Sequence, residues 1–288
     1  MIEDVKSCQF TVTAEDGVNL SVVEKTNSEH GQPKILLVHG SGCGWEYWDV
    51  PIRDYSIMKD LANHGSTVYA MECRGYGRSD RVDGRTVTAE RLAADVVAIA
   101  NEIRDNGEQV GLVGHSSSGA VVLTAAAKSP DVWSRMAILG APYRVINPQF
   151  QVYASQMIEA AQSDGKDMVP NTHHLEIESR LNEPEDDVVD WYKEIITTRY
   201  PLIPAAVFAD VIENPAIPLI PRIKVPTLLI NGSNEYVINL EDSLNLLNDL
   251  GSNDKGGVVL PSSYHLPFLE KKGHRDLLNC LQFWFSPK

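Results

Sequence analysis

Apolar and polar positions change their period along this chain, and each change marks an element. Residues 9 to 24 alternate about Glu15-Asp16-Gly17, the pattern of two extended runs joined by a tight turn, which predicts an N-terminal β-hairpin. Beyond it come short, apolar, β-branched runs: Lys34–His39, Thr67–Glu72, Gln109–Gly114, Val132–Leu139, Val225–Asn231 and Gly257–Leu260. Runs without polar alternation suit strands buried on both faces of a helix-covered parallel sheet. Between them Ser56–His64, Thr88–Asn106, Ser117–Lys128, Leu240–Leu250 and His274–Phe285 carry helical spacing, with Gly107 and Pro130 as stop signals. Strand and helix in alternation predict an α/β fold with a mostly parallel, doubly wound sheet.

The alternation fails between Tyr143 and Arg222, where helical patches, prolines and the acidic run Glu183-Pro184-Glu185-Asp186-Asp187 replace it. An insertion placed just after the fourth long parallel strand predicts a helical cap, residues 143–222, folded over the edge of the sheet where open α/β sheets bind ligands. The core is then assembled from residues 1–142 and 223–288.

Composition narrows the function. With 43% hydrophobic and 22% charged residues among 288, the chain has enough apolar material for a buried sheet. A formal net charge of −14 argues against nucleic acid, which needs a concentrated positive surface. The start Met1-Ile2-Glu3-Asp4-Val5-Lys6 lacks a basic segment followed by an apolar one, and no run of about 18 apolar residues occurs, so neither secretion nor a membrane span is expected. Cys8, Cys43, Cys73 and Cys280 show neither disulfide nor zinc spacing and read as reduced thiols in a cytoplasmic setting. The expected partner is a small hydrophobic substrate; the sequence leaves a homodimer open.

The strongest chemical signal is Gly114-His115-Ser116-Ser117-Ser118-Gly119, which follows an apolar strand and opens a helix. A strand that turns abruptly into a helix presents its central side chain above the sheet in a strained conformation, so Ser116 is the candidate nucleophile. Ser118 stands where the G-x-S-x-G pattern has glycine. A serine hydroxyl needs a base within reach. His265, in the loop after the last expected strand, lies on the same edge of the sheet.

The fold's chain order is nucleophile, acid, base, which places the acid after Val225–Asn231. Glu235 in Asn231-Gly232-Ser233-Asn234-Glu235 is the candidate, whereas Glu241 and Asp242 fall within the next helix. The loop His39-Gly40-Ser41-Gly42-Cys43-Gly44 brings backbone amides inward: that of Ser41, or of Gly42, would join that of Ser117 as an oxyanion hole. No Gly-Lys-Ser/Thr follows, which removes a phosphate-loop reading. Gly40, Trp45, Trp191 and Tyr192 are the candidate substrate contacts, and no metal or organic cofactor is called for.

Together these pieces resemble the α/β-hydrolase superfamily, with its His-Gly oxyanion loop, nucleophile elbow, acid after a late strand and C-terminal histidine. The turn Arg74-Gly75-Tyr76-Gly77-Arg78-Ser79 looks like the superfamily's Arg-Gly-x-Gly-x-Ser segment. The resemblance covers about residues 9 to 288 and is strongest to lidded esterases, lactonases and carbon–carbon bond hydrolases. It implies a serine hydrolase cleaving a hydrophobic ester or lactone through an acyl-enzyme. A carbon–carbon hydrolase or lyase acting on a ketone with the same triad, and a non-catalytic ligand receptor, remain open. Glu235 departs from the usual aspartate and Ser118 from the usual glycine. A serine rather than an aspartate at the elbow excludes dehalogenase and epoxide hydrolase chemistry.

Overall fold

A computed structural model describes residues 5–27, 32–163 and 165–286. Residues 1–4, on which the expectation about a leader partly rests, lie outside the described residues. The strands are β1 (Lys6–Thr13), β2 (Asn19–Thr26), β3 (Lys34–Val38), β4 (Thr67–Met71), β5 (Val110–His115), β6 (Trp133–Leu139), β7 (Met168–Pro170), β8 (Leu202–Pro204), β9 (Thr227–Gly232) and β10 (Lys255–Leu260). The α-helices are α1 (Ile57–Asn63), α2 (Ala89–Ile103), α3 (Ser118–Lys128), α4 (Pro148–Ser163), α5 (Asp186–Thr198), α6 (Ala206–Glu213), α7 (Leu240–Asp249) and α8 (Lys271–Phe285).

Eight strands form one twisted sheet in the order β1-β2-β4-β3-β5-β6-β9-β10. The hairpin β1–β2 and the pairing of β2 with β4 are antiparallel, and every other neighbour is parallel. The expected mostly parallel, doubly wound sheet is therefore present. Burial follows position in the sheet. β3, β4, β5 and β9 are buried at every residue, as a strand covered on both faces must be. β10 departs from that expectation: it closes one edge, has a neighbour on one side only, and keeps Val259 half exposed.

Two helix bounds also differ from the sequence reading. α2 stops at Ile103, and Asn106 and Gly107, with φ +43 and +83, make a separate left-handed turn after it. α8 begins at Lys271, ahead of His274, because Glu270 is its first flanking residue. Thr88 caps α2 as expected, its hydroxyl accepting from the Arg91 amide.

From β3 the chain crosses to β4 on one side and then to β5 on the other, so the crevice between the carboxyl ends of β3 and β5 is the switch point where such sheets take ligands. Between β6 and β9 the chain runs through α4, α5 and α6 and a two-stranded antiparallel ribbon of β7 and β8. Its start is tied down by Asp242 on α7: Oδ2 accepts from the amides of Tyr143, Arg144 and Val145 at 3.1, 2.8 and 3.0 Å. The buried Asn214 donates from Nδ2 to the carbonyls of Pro142 and Tyr143, joining the end of the segment to its beginning. Among the described residues no helix is long and apolar enough to cross a membrane.

Candidate active site

Ser116 sits between β5 and α3 with φ +56, a left-handed conformation that a side chain adopts only under constraint. The constraint is visible on both sides. The Ser116 amide donates to the Leu139 carbonyl at the end of β6, 2.8 Å away, and the Ser116 carbonyl accepts from the Gly119 amide at 2.9 Å. A side chain at Gly119 would collide with Ala141, its Cβ falling 2.2 Å from the alanine Cβ.

The loop after β10 brings His265 over the serine, with Nε2 2.9 Å from Ser116 Oγ. The other ring nitrogen, Nδ1, is 2.8 Å from Glu235 Oε1. A carboxylate only accepts, so Nδ1 carries the proton and Nε2 is left to accept from the serine hydroxyl. Glu235 Oε1 also takes the amides of Tyr236 and Val237 at 2.9 and 3.0 Å, which fixes the carboxylate on its own loop. The side chains of His265 and Glu235 are 3% and 1% exposed, so water does not screen the pair. Asp242, the neighbouring acid, is spent on the start of the inserted segment.

Sequence reasoning missed Gly140. At φ +52 it lies where a Cβ would stand 3.0 Å from both Glu235 Oε2 and His265 Nδ1. Its signal was a glycine directly after the β6 run, at the same sheet edge as the elbow. Glu270 was missed too. This buried carboxylate accepts from the Tyr264 amide at 2.9 Å, from the Asn182 amide at 3.0 Å and from the Ser263 hydroxyl, so it ties the histidine loop to the inserted segment. Burial pushes its carboxyl above the ordinary value.

The glycine-rich loop after β3 packs against the elbow. A Cβ on Gly40 would come 3.0 Å from Ser116 Cβ, and the Gly40 amide donates to the Tyr47 hydroxyl. That hydroxyl lies 3.1 Å from His115 Nδ1, and His115 Nε2 donates to the His265 carbonyl at 3.0 Å. One polar chain therefore links the loop to the backbone of His265. His39 pins the other end: Nδ1 donates to the Gly40 carbonyl at 2.7 Å, and Nε2 accepts from the Cys73 amide at 3.0 Å. Burial lowers the His39 pKa to about 4. Ser118 spends its hydroxyl on the His39 carbonyl, which accounts for serine at a position where glycine is usual. The amides of Ser41 and Ser117 make no hydrogen bond among the described residues, and Ser117 stands at the N-terminus of α3. Gly42 turns its carbonyl to Asn171 Nδ2 at 2.7 Å. Cys43 is fully buried, and burial pushes its thiol well above the ordinary value, away from nucleophilic use.

The family model described as Hydrolase_4, serine aminopeptidase, S33, matches residues 31–272. The chain belongs to this α/β-hydrolase family. The hydrolase is 26% identical over 267 residues to a probable esterase of Oryza sativa subsp. japonica, covering 88% of this chain and 91% of that one. It is 30% identical over 110 residues to a triacylglycerol lipase of Pseudarthrobacter phenanthrenivorans, a match that spans 38% of this chain and only 33% of the lipase. Its fold superposes on a thermophilic esterase from Thermogutta terrifontis with a TM-score of 0.76 at 21% identity, over 96% of this chain and 97% of that one.

Above Ser116 the hydrolase encloses a cavity of about 10 Å³, room for roughly one water. Ser41, Ser116 and His265 form its floor. Phe150 and Tyr153 of α4, Phe208 of α6, Ile203, Asn171 and the loop residues Tyr236 and Val237 form its walls. The expected contacts Gly40, Trp45, Trp191 and Tyr192 are not among the lining residues. Trp45 and Trp191 are half-buried against the core, and Tyr192 is buried on the α5 face that also carries Val188, Val189 and Ile196. α4 and α6, not α5, turn their aromatic residues toward the serine. The inserted segment is tied to the core by Arg53 with Glu185 and Asp187, and by Arg199 with Glu46.

Proposed function

We propose that this hydrolase cleaves a hydrophobic carboxylic ester or lactone through an acyl-enzyme on Ser116. The observation that carries the reading is the relay from Ser116 Oγ through His265 to Glu235, at 2.9 and 2.8 Å, set beneath apolar walls. Ser116 attacks the carbonyl carbon while His265 Nε2 takes the hydroxyl proton. Glu235 holds the Nδ1 proton in place and balances the imidazolium that forms. The unused amides of Ser41 and Ser117 receive the developing oxyanion, aided by the positive end of α3. The protonated His265 then hands its proton to the leaving alcohol, and water, activated by the same imidazole, releases the acid.

The cavity above Ser116 has room for about one water, and on this reading residues 143–222 shift to admit an ester. That segment acts as a lid whose aromatic lining selects an apolar acyl or alcohol group. The test is hydrolysis of p-nitrophenyl esters of graded acyl length by the wild-type enzyme and by Ser116→Ala. Wild-type turnover that falls by about three to six orders of magnitude in the variant supports the reading. Equal turnover by the two proteins overturns it.

A further inference from the structure

The walls around Ser116 contain one polar side chain whose hydrogen-bonding capacity is half used. Asn171 is 3% exposed and lines the cavity together with Ser41, Ser116 and His265. Its Nδ2 donates to the carbonyl of Gly42 at 2.7 Å and to that of Tyr200 at 2.9 Å. Both partners are acceptors only, so the amide orientation is fixed by chemistry: Nδ2 faces them and Oδ1 cannot. The Asn171 amide is engaged as well, donating to the Pro201 carbonyl at 3.0 Å. Oδ1 is buried and has no hydrogen-bond partner among the described residues. A buried acceptor left without a donor is costly, and Asn171 lines the cavity beside mostly aromatic and aliphatic groups, with the tyrosine hydroxyls of Tyr153 and Tyr236 not bonded to it, so a donor on whatever fills the cavity would satisfy it.

We propose that Asn171 Oδ1 is a specificity contact that accepts a hydrogen bond from a hydroxyl on the substrate, so that the preferred substrates are hydroxyl-bearing esters rather than plain alkyl ones. The inference rests on the reading of Ser116 as an ester-cleaving nucleophile and adds the substrate class. Its logic is that a site built to pair a hydroxyl rejects the analogue lacking it far more strongly than an apolar pocket rejects a change in size. The two halves of the carboxamide divide the work. Nδ2 ties the lid to the oxyanion loop through Gly42, and Oδ1 reads the ligand.

The experiment compares matched pairs: p-nitrophenyl butyrate against the p-nitrophenyl esters of 2- and 3-hydroxybutyrate, and propyl butyrate against glycerol monobutyrate. Each pair is read as a ratio of kcat/KM, divided by the pair's ratio in alkaline hydrolysis to remove intrinsic reactivity. In the wild-type enzyme at least one hydroxyl-bearing ester is expected to be favoured by about 5- to 100-fold. In Asn171→Leu that preference falls to about one, whatever happens to overall activity, because loss of the Nδ2 bonds slows both members of a pair alike. Asn171→Ala gives the same comparison should the leucine unseat the lid, and the wild-type ratios stand without either variant. Wild-type ratios of one for every pair overturn the inference, leave the ester reading intact and point to a water on Oδ1. A hydroxyl preference that survives in both variants also overturns it. Hydrolysis of none of these esters by the wild-type enzyme overturns the inference together with the reading of Ser116.

Discussion

His39 offers a quantitative test of how the oxyanion loop is held. Its ring is buried and neutral, donating from Nδ1 to Gly40 and accepting at Nε2 from the Cys73 amide, and its pKa is lowered to about 4. In the unfolded chain a histidine titrates near its ordinary value of about 6.5. The unfolded state therefore binds a proton between those values while the folded state does not, so this group's effect is to lower stability as pH falls through that window. The slope approaches about 1.4 kcal/mol per pH unit, and the integrated loss from about pH 7.5 to about pH 4.5 is about 2–3 kcal/mol.

The buried carboxyls of Glu72, Glu270 and Asp95 are shifted upward by burial and work in the opposite sense over part of that range, so the wild-type profile alone does not isolate His39. His39→Gln does. Glutamine can still accept from the Cys73 amide but does not titrate, so its cost is constant with pH. Urea unfolding followed by tryptophan fluorescence, at several pH values, gives both curves. The wild-type protein should lose its advantage over the variant by about 2–3 kcal/mol across the window. Parallel curves would refute the account of His39 as a neutral structural pin.

Three substitutions probe the relay itself. Glu235→Gln keeps the shape but favours the wrong imidazole tautomer, and turnover of p-nitrophenyl butyrate should fall by up to about 10⁴-fold, with Glu235→Asp milder if the loop can close the missing methylene. Gly140→Ala places a methyl 3.0 Å from Glu235 and His265 at φ +52. It should cost about 1–2 kcal/mol in a thermal melt from backbone strain, and lower turnover by more than the unfolded fraction explains, because both groups are pushed apart.

Much of the fold was legible because its signals are local. Apolar runs such as Leu36–Val38 and Val110–Val113 are buried along their whole length, and the strand-to-helix turn at Ser116 announces itself by small residues on both sides. Chain order alone pointed to Glu235 and His265, since loops at one end of parallel strands share an edge. The segment between β6 and β9 was legible only in outline. Which face of α4, α5 or α6 meets the serine depends on how the segment docks, and that is set by long-range ties such as Asp242 with the amides of Tyr143 to Val145 and Asn171 with Gly42. Trp191 and Tyr192 looked suitable by type but lie on a helix that does not line the cavity, while Phe150 and Tyr153 of α4 do. The half-used amide of Asn171 has no sequence signature, because its meaning arises from two carbonyls that come from Gly42 and Tyr200.

The central claim is that Ser116 is the activated nucleophile, and covalent labelling tests it most directly. The folded enzyme is treated with a fluorophosphonate, and the adduct is located by mass spectrometry of peptides. A single phosphonyl group on the peptide containing Ser116, absent from a Ser116→Ala variant of unchanged circular dichroism, is the predicted result. An adduct on another residue, or labelling of the variant to the same extent as the wild type, would contradict the account.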